Sequence, residues 1–107
     1  MPPDDLEITS TEVKPLLEGN KILMLDVREP SEVASGIIPG AVHIPLGELP
    51  SRYQEIDASR PVVVYCAHGI RSFQGAYFLR TQGFEGTRSL SGGIVQWSHA
   101  GGALVRP

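Results

Sequence analysis

The chain has 107 residues, of which 41% are hydrophobic and 20% charged, and its formal net charge is −3. This length suits one globular domain and is too short for two cores, and the scattered Lys and Arg residues predict no nucleic-acid partner. No apolar run approaches about 18 residues, so we expect no membrane span. The single cysteine, Cys66, excludes an internal disulfide, a zinc site made only of cysteines and an internal resolving thiol.

The two ends of the chain are predicted to lie outside the folded domain. Residues 1–6 are expected to form a flexible start, residues 7–100 the domain, and residues 101–107 an irregular tail. The acidic stretch 1–5 lacks the apolar segment of a signal peptide, which favours a cytoplasmic location.

The first half of the domain begins with a helix and a buried strand. Thr9 and Glu12 have capping-box spacing, and Pro15 indicates that the helix starts late or is short, because proline is tolerated only in a first turn. The helix is predicted to end at residues 19–20. The continuous apolar run 22–25 predicts a strand buried on both faces. We then expect a short helix that Ser31 caps, a short strand and another short helix, at 31–36, 41–44 and 46–49.

The second half continues the alternation of strands and helices. Residues 62–65 are the clearest strand, a helix is predicted over 72–82, and a last strand over 87–90 precedes a helix that carries Trp97. This alternation predicts an α/β fold with a central parallel sheet flanked by helices on both faces. In such sheets ligands bind beyond the carboxyl ends of the strands.

Cys66 stands at that position, directly after the strand 62–65 and at the start of a short loop that leads into a helix near Ser72. Backbone N–H groups of such a loop can turn inward as an anion-binding nest, and a helix N-terminus adds partial positive charge. Gly69 supplies a position that can take a positive φ. These features favour the nucleophilic thiolate, whereas a free thiol with a pKa of about 8.5 is only about 3% ionised at pH 7. The alternative for a lone cysteine is a buried and inert side chain.

Three stretches of the chain resemble signatures of the rhodanese family of sulfurtransferases. They are residues 25–30 with Glu32, residues 36–45 and the loop 66–72, while Gly92, Gly93 and Trp97 fit a weaker pattern in which Ser91 replaces a frequent acidic residue. The likeness runs in order over nearly the whole chain. It implies a single rhodanese-like domain that forms a persulfide on Cys66, and we expect no cofactor and no metal.

The resemblance also implies the substrates and the residues that bind them. A small anionic sulfur donor such as thiosulfate would give its sulfane sulfur to Cys66 and release sulfite. A small thiol or a thioredoxin-like protein would accept the sulfur, with cyanide as the acceptor in an assay. The residues implied in substrate binding are Ala67, His68, Gly69, Ile70, Arg71 and Ser72, and those that support the site are Asp26, Arg28 and Glu32.

The roles of several of these side chains stay open at the level of the sequence. Arg71 either binds the donor's oxyanion or folds back to brace the loop. His68 stands where thiosulfate-using relatives often carry a cation, and it binds the anion, acts as a pH-dependent cation or faces solvent. We expect Asp26 and Arg28 to form a structural pair that Glu32 locks.

Two other functions compete with a sulfurtransferase. The first is a phosphatase or an arsenate reductase. Phosphatases of the same fold have five residues between the cysteine and the arginine of the loop. Cys66 and Arg71 enclose four residues, which favours sulfur transfer over phosphoryl transfer. A sulfur carrier, which takes a persulfide from a partner enzyme and turns over little alone, is compatible with the same loop.

Overall fold

The computed structural model describes residues 2–107. Its strands are β1 (Glu7–Ile8), β2 (Leu23–Asp26), β3 (Val42–His43), β4 (Val62–Tyr65) and β5 (Arg88–Leu90). Its α-helices are α1 (Ser10–Glu18), α2 (Pro30–Val33), α3 (Leu49–Arg52), α4 (Ile70–Thr81) and α5 (Gly93–His99). Two short 3₁₀ turns, Leu46–Glu48 and Tyr53–Glu55, flank α3.

The strands form one sheet in the order β1-β5-β4-β2-β3, and each neighbouring pair is parallel. The α/β class predicted from the sequence is therefore confirmed. β2 and β4 run side by side in the sheet, so that Asp26 lies opposite Tyr65 on one side and His43 on the other. Because the carboxyl ends of parallel strands meet at one edge, Cys66 after β4 and Arg28 after β2 lie at the same end of the sheet.

Helices cover both faces of the sheet, and β4 shows why. Its side chains are buried on alternate sides, with Val62 and Val64 in the core shared with α3 and α4, and Val63 and Tyr65 in the core shared with α1 and α5. A strand with no solvent-facing side reads as a continuous apolar run. None of the helices within residues 2–107 has the length and apolar character needed to cross a membrane.

Helix α4 begins two residues earlier than predicted, at Ile70 rather than at Ser72. Gly69 is its N-cap and has a φ of +106°, a conformation that costs glycine little because it has no Cβ atom. Arg71 and Ser72 therefore lie in the first turn of the helix. The N–H groups of that turn have no partner within the helix and are free to bind other groups.

Helix α2 differs from the prediction, whereas helix α1 agrees with most of it. Helix α2 starts at Pro30, which suits a first helical position because proline has no N–H to satisfy, and Ser31 does not cap it. The carboxylate of Glu32 instead accepts the Glu29 N–H at 3.0 Å. Helix α1 begins directly after Thr9, which forms the predicted capping box with Glu12, and ends before Gly19, as expected. Pro15 lies in its second turn and does not delay its start, but the helix is short, with nine residues.

Both ends of the chain contact the fold. β1, which is too short to give a periodic signal, was not predicted. Leu6, in the segment expected to be flexible, is buried in the core, and its carbonyl accepts the Ser89 N–H at 2.7 Å; Met1 of that segment lies outside the described residues. In the tail, Val105 and Ile37 exchange two backbone hydrogen bonds of 2.8 Å. The predicted limits of the domain stay predictions.

Candidate active site

The sulfur of Cys66 lies inside a tight turn formed by residues 66–69, which we call the Cys66 loop. The Gly69 N–H donates to Sγ at 3.1 Å and the Ser72 N–H at 3.3 Å. The hydroxyl of Ser72 is 3.4 Å from Sγ. The cysteine is 1% exposed, so these groups, and not bulk solvent, are the polar neighbours of the sulfur.

These donors determine the acidity of the thiol. Burial is the largest single influence, and it favours the neutral form. The hydroxyl and N–H of Ser72 and the N–H groups of Gly69 and His68 together outweigh burial and lower the pKa of Cys66 below its ordinary value. A hydrogen bond to a charged acceptor is stronger than one to a neutral acceptor, so the site stabilises the nucleophilic thiolate.

The N-terminus of α5 holds the Cys66 loop from behind. The Ile94 N–H donates to the carbonyl of Cys66 at 2.9 Å, and the Val95 N–H donates to that of Ala67 at 3.2 Å. This approach needs glycine at position 93, where a Cβ atom would overlap both carbonyls. The Gly92–Gly93 pair, a weak signal in the sequence, is therefore part of the support of the site.

Ser89 is a member of the site that the sequence analysis missed. Its hydroxyl lies 2.8 Å from that of Ser72, and both side chains are fully buried. When Cys66 is ionised, the Ser72 hydroxyl can donate a hydrogen bond to Sγ and accept one from the Ser89 hydroxyl. The one available signal was a serine within the buried strand β5, which pairs with β4.

We expect Ser72→Ala to slow alkylation of Cys66 by iodoacetamide at pH 7 about tenfold, because a hydrogen bond to a charged group contributes about 1.5 kcal/mol or more. The measurement is the pH profile of alkylation, whose midpoint should move to higher pH. The matched control is Ser10→Ala, since the buried Ser10 hydroxyl has no hydrogen-bond partner within residues 2–107. Identical profiles for the two variants would contradict the role of Ser72.

Arg71 folds onto Glu32 at the side of the loop. Its Nη1 and Nη2 atoms donate to Oε1 and Oε2 of the carboxylate at 2.7 and 2.9 Å. The hydrogen bonds from Arg71 hold the pKa of Glu32 at about 2. Of the two positions that the sequence left open for Arg71, this structure has the braced one, in which Glu32 is its partner.

Asp26 and Arg28 form the expected pair behind the site, although the Glu32 carboxylate takes no part in it. Asp26 accepts from Nη2 of Arg28 at 2.8 Å and twice from Nε at 3.1 Å. The carbonyls of Glu32 and Gly36 accept further bonds from Arg28 at 3.3 and 2.7 Å. His43 binds the Arg28 carbonyl through Nε2 at 2.7 Å, so it is a structural hydrogen-bonding residue.

Two side chains next to the thiol, those of His68 in the Cys66 loop and Ile70 at the start of α4, face solvent. The His68 side chain is exposed, and that of Ile70 is 74% exposed. Beside them lies a hollow of about 390 Å³ lined by Glu7, His68, Gly69, Ile70, Phe73 and Gln74. A larger cavity of about 560 Å³ includes Ile22, Leu23 and Trp97 in its lining. This cavity lies at the amino end of β2, away from Cys66. The hollow beside the Cys66 loop is therefore the better candidate for a substrate-binding site.

The described residues give the site a defined set of chemical groups. They are a thiol whose pKa is lowered, two backbone N–H groups that donate to its sulfur and an arginine–carboxylate pair. No group of three or more His, Cys, Asp or Glu side chains within residues 2–107 is placed to hold a metal ion.

Comparison with known proteins gives a consistent result. A family model described as a rhodanese-like domain matches residues 9–100. A sulfurtransferase of Allochromatium vinosum is 39% identical over 92 residues, which cover 86% of each chain. A putative sulfurtransferase of Bacillus subtilis is 38% identical over 92 residues, or 85% of this chain and 88% of that protein. The solved structure of a rhodanese-related protein from Thermoplasma volcanium has a TM-score of 0.86 and 30% identity, and the match covers 92% of this chain and 96% of that one.

Proposed function

The chain belongs to the rhodanese-like domain family, and on that premise we propose that it is a sulfurtransferase that carries a sulfane sulfur as a persulfide on Cys66. The observation that carries this proposal is the set of donors around Sγ, two N–H groups at 3.1 and 3.3 Å and a hydroxyl at 3.4 Å. They stabilise the thiolate that attacks the donor and that leaves again when the acceptor removes the sulfur. The names of the relatives support the same activity.

In the first half of the reaction the Cys66 thiolate attacks the outer sulfur of the donor. With thiosulfate, a bond forms between Sγ and that sulfur, the S–S bond of thiosulfate breaks, and sulfite leaves with the bonding electron pair. The total charge stays the same, because the negative charge of the thiolate passes to the new persulfide. No oxidant, reductant or proton is consumed.

In the second half an acceptor removes the sulfur. A thiolate, or cyanide in an assay, attacks the outer sulfur of the persulfide, and the Cys66 thiolate leaves and returns to its donors. We propose a small thiol or a thioredoxin-like protein as the acceptor, and thiosulfate or an organic persulfide as the donor. The chain has no second cysteine, so an external molecule must discharge the persulfide.

The test is the intact mass of the protein after treatment with thiosulfate or with an organic persulfide, followed by cyanide. We expect a gain of about 32 Da on the wild type, which cyanide removes, since a persulfide is a reversible cap on a thiol. Cys66→Ser is the control and should gain nothing. An equal gain on the serine variant, or no gain with either donor, would overturn the proposal. Loading without repeated turnover would assign the domain as a sulfur carrier.

A further inference from the structure

Arg71 is held in place by a carboxylate that is itself anchored. Glu32 accepts two hydrogen bonds from the guanidinium, at 2.7 and 2.9 Å, and a third from the Glu29 N–H at 3.0 Å. The side chains of Arg71 and Glu32 are 36% and 33% exposed. The Glu29 N–H is at the N-terminus of α2, so a rotation of the Glu32 side chain away from Arg71 would also break this helix cap.

This pairing changes the charge that an incoming donor meets. An unpaired arginine beside the Cys66 loop would attract an anion. At distances greater than the N–O separation within the pair, however, the negative charge of Glu32 cancels the positive charge of Arg71. The second arginine at this end of the sheet, Arg28, is buried against Asp26. Glu29 lies close enough to Arg71 to raise the pKa of the guanidinium further, and Glu7 lines the hollow on the other side of the loop.

The other positive groups close to the thiol are the backbone N–H dipoles of Gly69 and Ser72, which donate to Sγ. Such dipoles stabilise a single charge at short range, but they do not add a net positive charge that could attract a dianion from solution. The Cys66 thiolate contributes a further negative charge at the moment of attack. A dianionic donor therefore approaches a site in which both arginines are paired with carboxylates, and His68 is the further side chain beside the hollow that can carry positive charge.

We propose that Glu32 sets the donor specificity of this site, because by neutralising Arg71 it favours sulfur donors with at most one negative charge over dianionic thiosulfate. This inference rests on the proposed function and names its substrate class, organic persulfides and thiosulfonates. With a thiosulfonate, Cys66 attacks the outer sulfur, the S–S bond breaks and a sulfinate leaves with the electron pair, so that the total charge is conserved. Glu32 does not touch the reacting atoms and is a positioning and specificity residue.

The experiment compares two donors that differ by one charge, thiosulfate and methanethiosulfonate, with cyanide as acceptor. We expect Glu32→Gln, which keeps an oxygen for the Glu29 N–H, to raise kcat/KM about tenfold for thiosulfate and about threefold for methanethiosulfonate. The effect of one removed charge on the logarithm of the rate scales with the charge of the donor. The ratio of the two kcat/KM values should therefore shift about threefold towards thiosulfate.

Two matched variants and one measurement without a variant complete the test. Glu32→Asp keeps the charge, and Glu55→Gln removes the same charge from an exposed pair with Arg52; both should leave the donor ratio of the wild type unchanged. For the wild type, kcat/KM for thiosulfate should stay level or rise between about 20 and about 300 mM NaCl, because salt screens repulsion as well as attraction.

The outcomes separate this inference from the proposed function. An equal loss with both donors in Glu32→Gln, an unchanged donor ratio, or a steep fall of the wild-type thiosulfate rate with salt overturns the role of Glu32 while sulfur transfer stands. Failure of both donors to load Cys66 of the wild type, read from the intact mass, overturns the proposed function and this inference with it.

Discussion

Replacing Arg28 by alanine is expected to lower the free energy of unfolding by about 3–5 kcal/mol, because it leaves a buried carboxylate without its counter-ion. Asp26 is 0% exposed, and its oxygens accept the Arg28 backbone N–H at 2.9 Å in addition to the guanidinium bonds. The carbonyl of Gly36 would lose a 2.7 Å bond from the same side chain. The loss would therefore extend from β2 to the segment that follows α2.

The matched control is Arg52→Ala, which also removes an arginine from its carboxylate partners. Arg52 binds Glu48 at 2.8 Å and Glu55 at 3.1 Å, but all three side chains are substantially exposed, and such pairs contribute only about 0–1 kcal/mol. Urea unfolding of both variants and the wild type measures the difference. Similar decreases in the free energy of unfolding for the two variants would contradict the prediction that burial makes the Asp26–Arg28 pair more important for stability than an exposed pair.

The elements that the sequence predicted well are those whose signal is local. The runs 22–25 and 62–65 are apolar at every position because both faces of their strands are covered. Asp26 is the last residue of β2 and Arg28 lies two residues after it, and the resemblance of this local stretch to a rhodanese signature implied that the two residues support the site. The same holds for Gly69, where a tight turn before a helix requires a positive φ.

The features that the sequence did not predict depend on contacts between distant segments. Arg71 and Glu32 are 39 residues apart, and Ser72 and Ser89 are 17 apart, so no periodicity or spacing connects them. Each pair forms because parallel strands bring their carboxyl ends, and the segments after them, to one edge of the sheet. The sequence could place Cys66 at this edge, but it could not say which side chains would meet there.

The support of the Cys66 loop by α5 is another such contact, and it makes position 93 the most demanding glycine of the site. Gly93 has a φ of +60°, and a Cβ atom there would overlap the backbone carbonyls of Cys66 and Ala67. The carbonyls belong to the turn that orients the donors around Sγ, so they cannot move without moving the thiol. Strain at position 93 should therefore affect both stability and reactivity.

We expect Gly93→Ala to lower the free energy of unfolding by about 2–5 kcal/mol, of which about 1–2 kcal/mol is the cost of a left-handed backbone and about 1–3 kcal/mol that of overpacking. Gly101→Ala separates these contributions, since Gly101 has a φ of +83° and a Cβ atom added there would have no neighbouring atom within 4 Å. Urea unfolding should show the smaller cost alone for Gly101→Ala.

The rate of sulfur transfer distinguishes displacement of the loop from a general loss of stability. Under conditions in which both variants are folded, Gly93→Ala should lose about 10–100-fold in kcat/KM, because a small displacement of a nucleophile from its productive geometry is costly. Gly101→Ala, which touches no part of the Cys66 loop, should keep the wild-type rate. If folded Gly93→Ala transferred sulfur as fast as the wild type, the contact between α5 and the loop would stabilise the fold without positioning the thiol. The donors around Sγ would then be held by α4 alone.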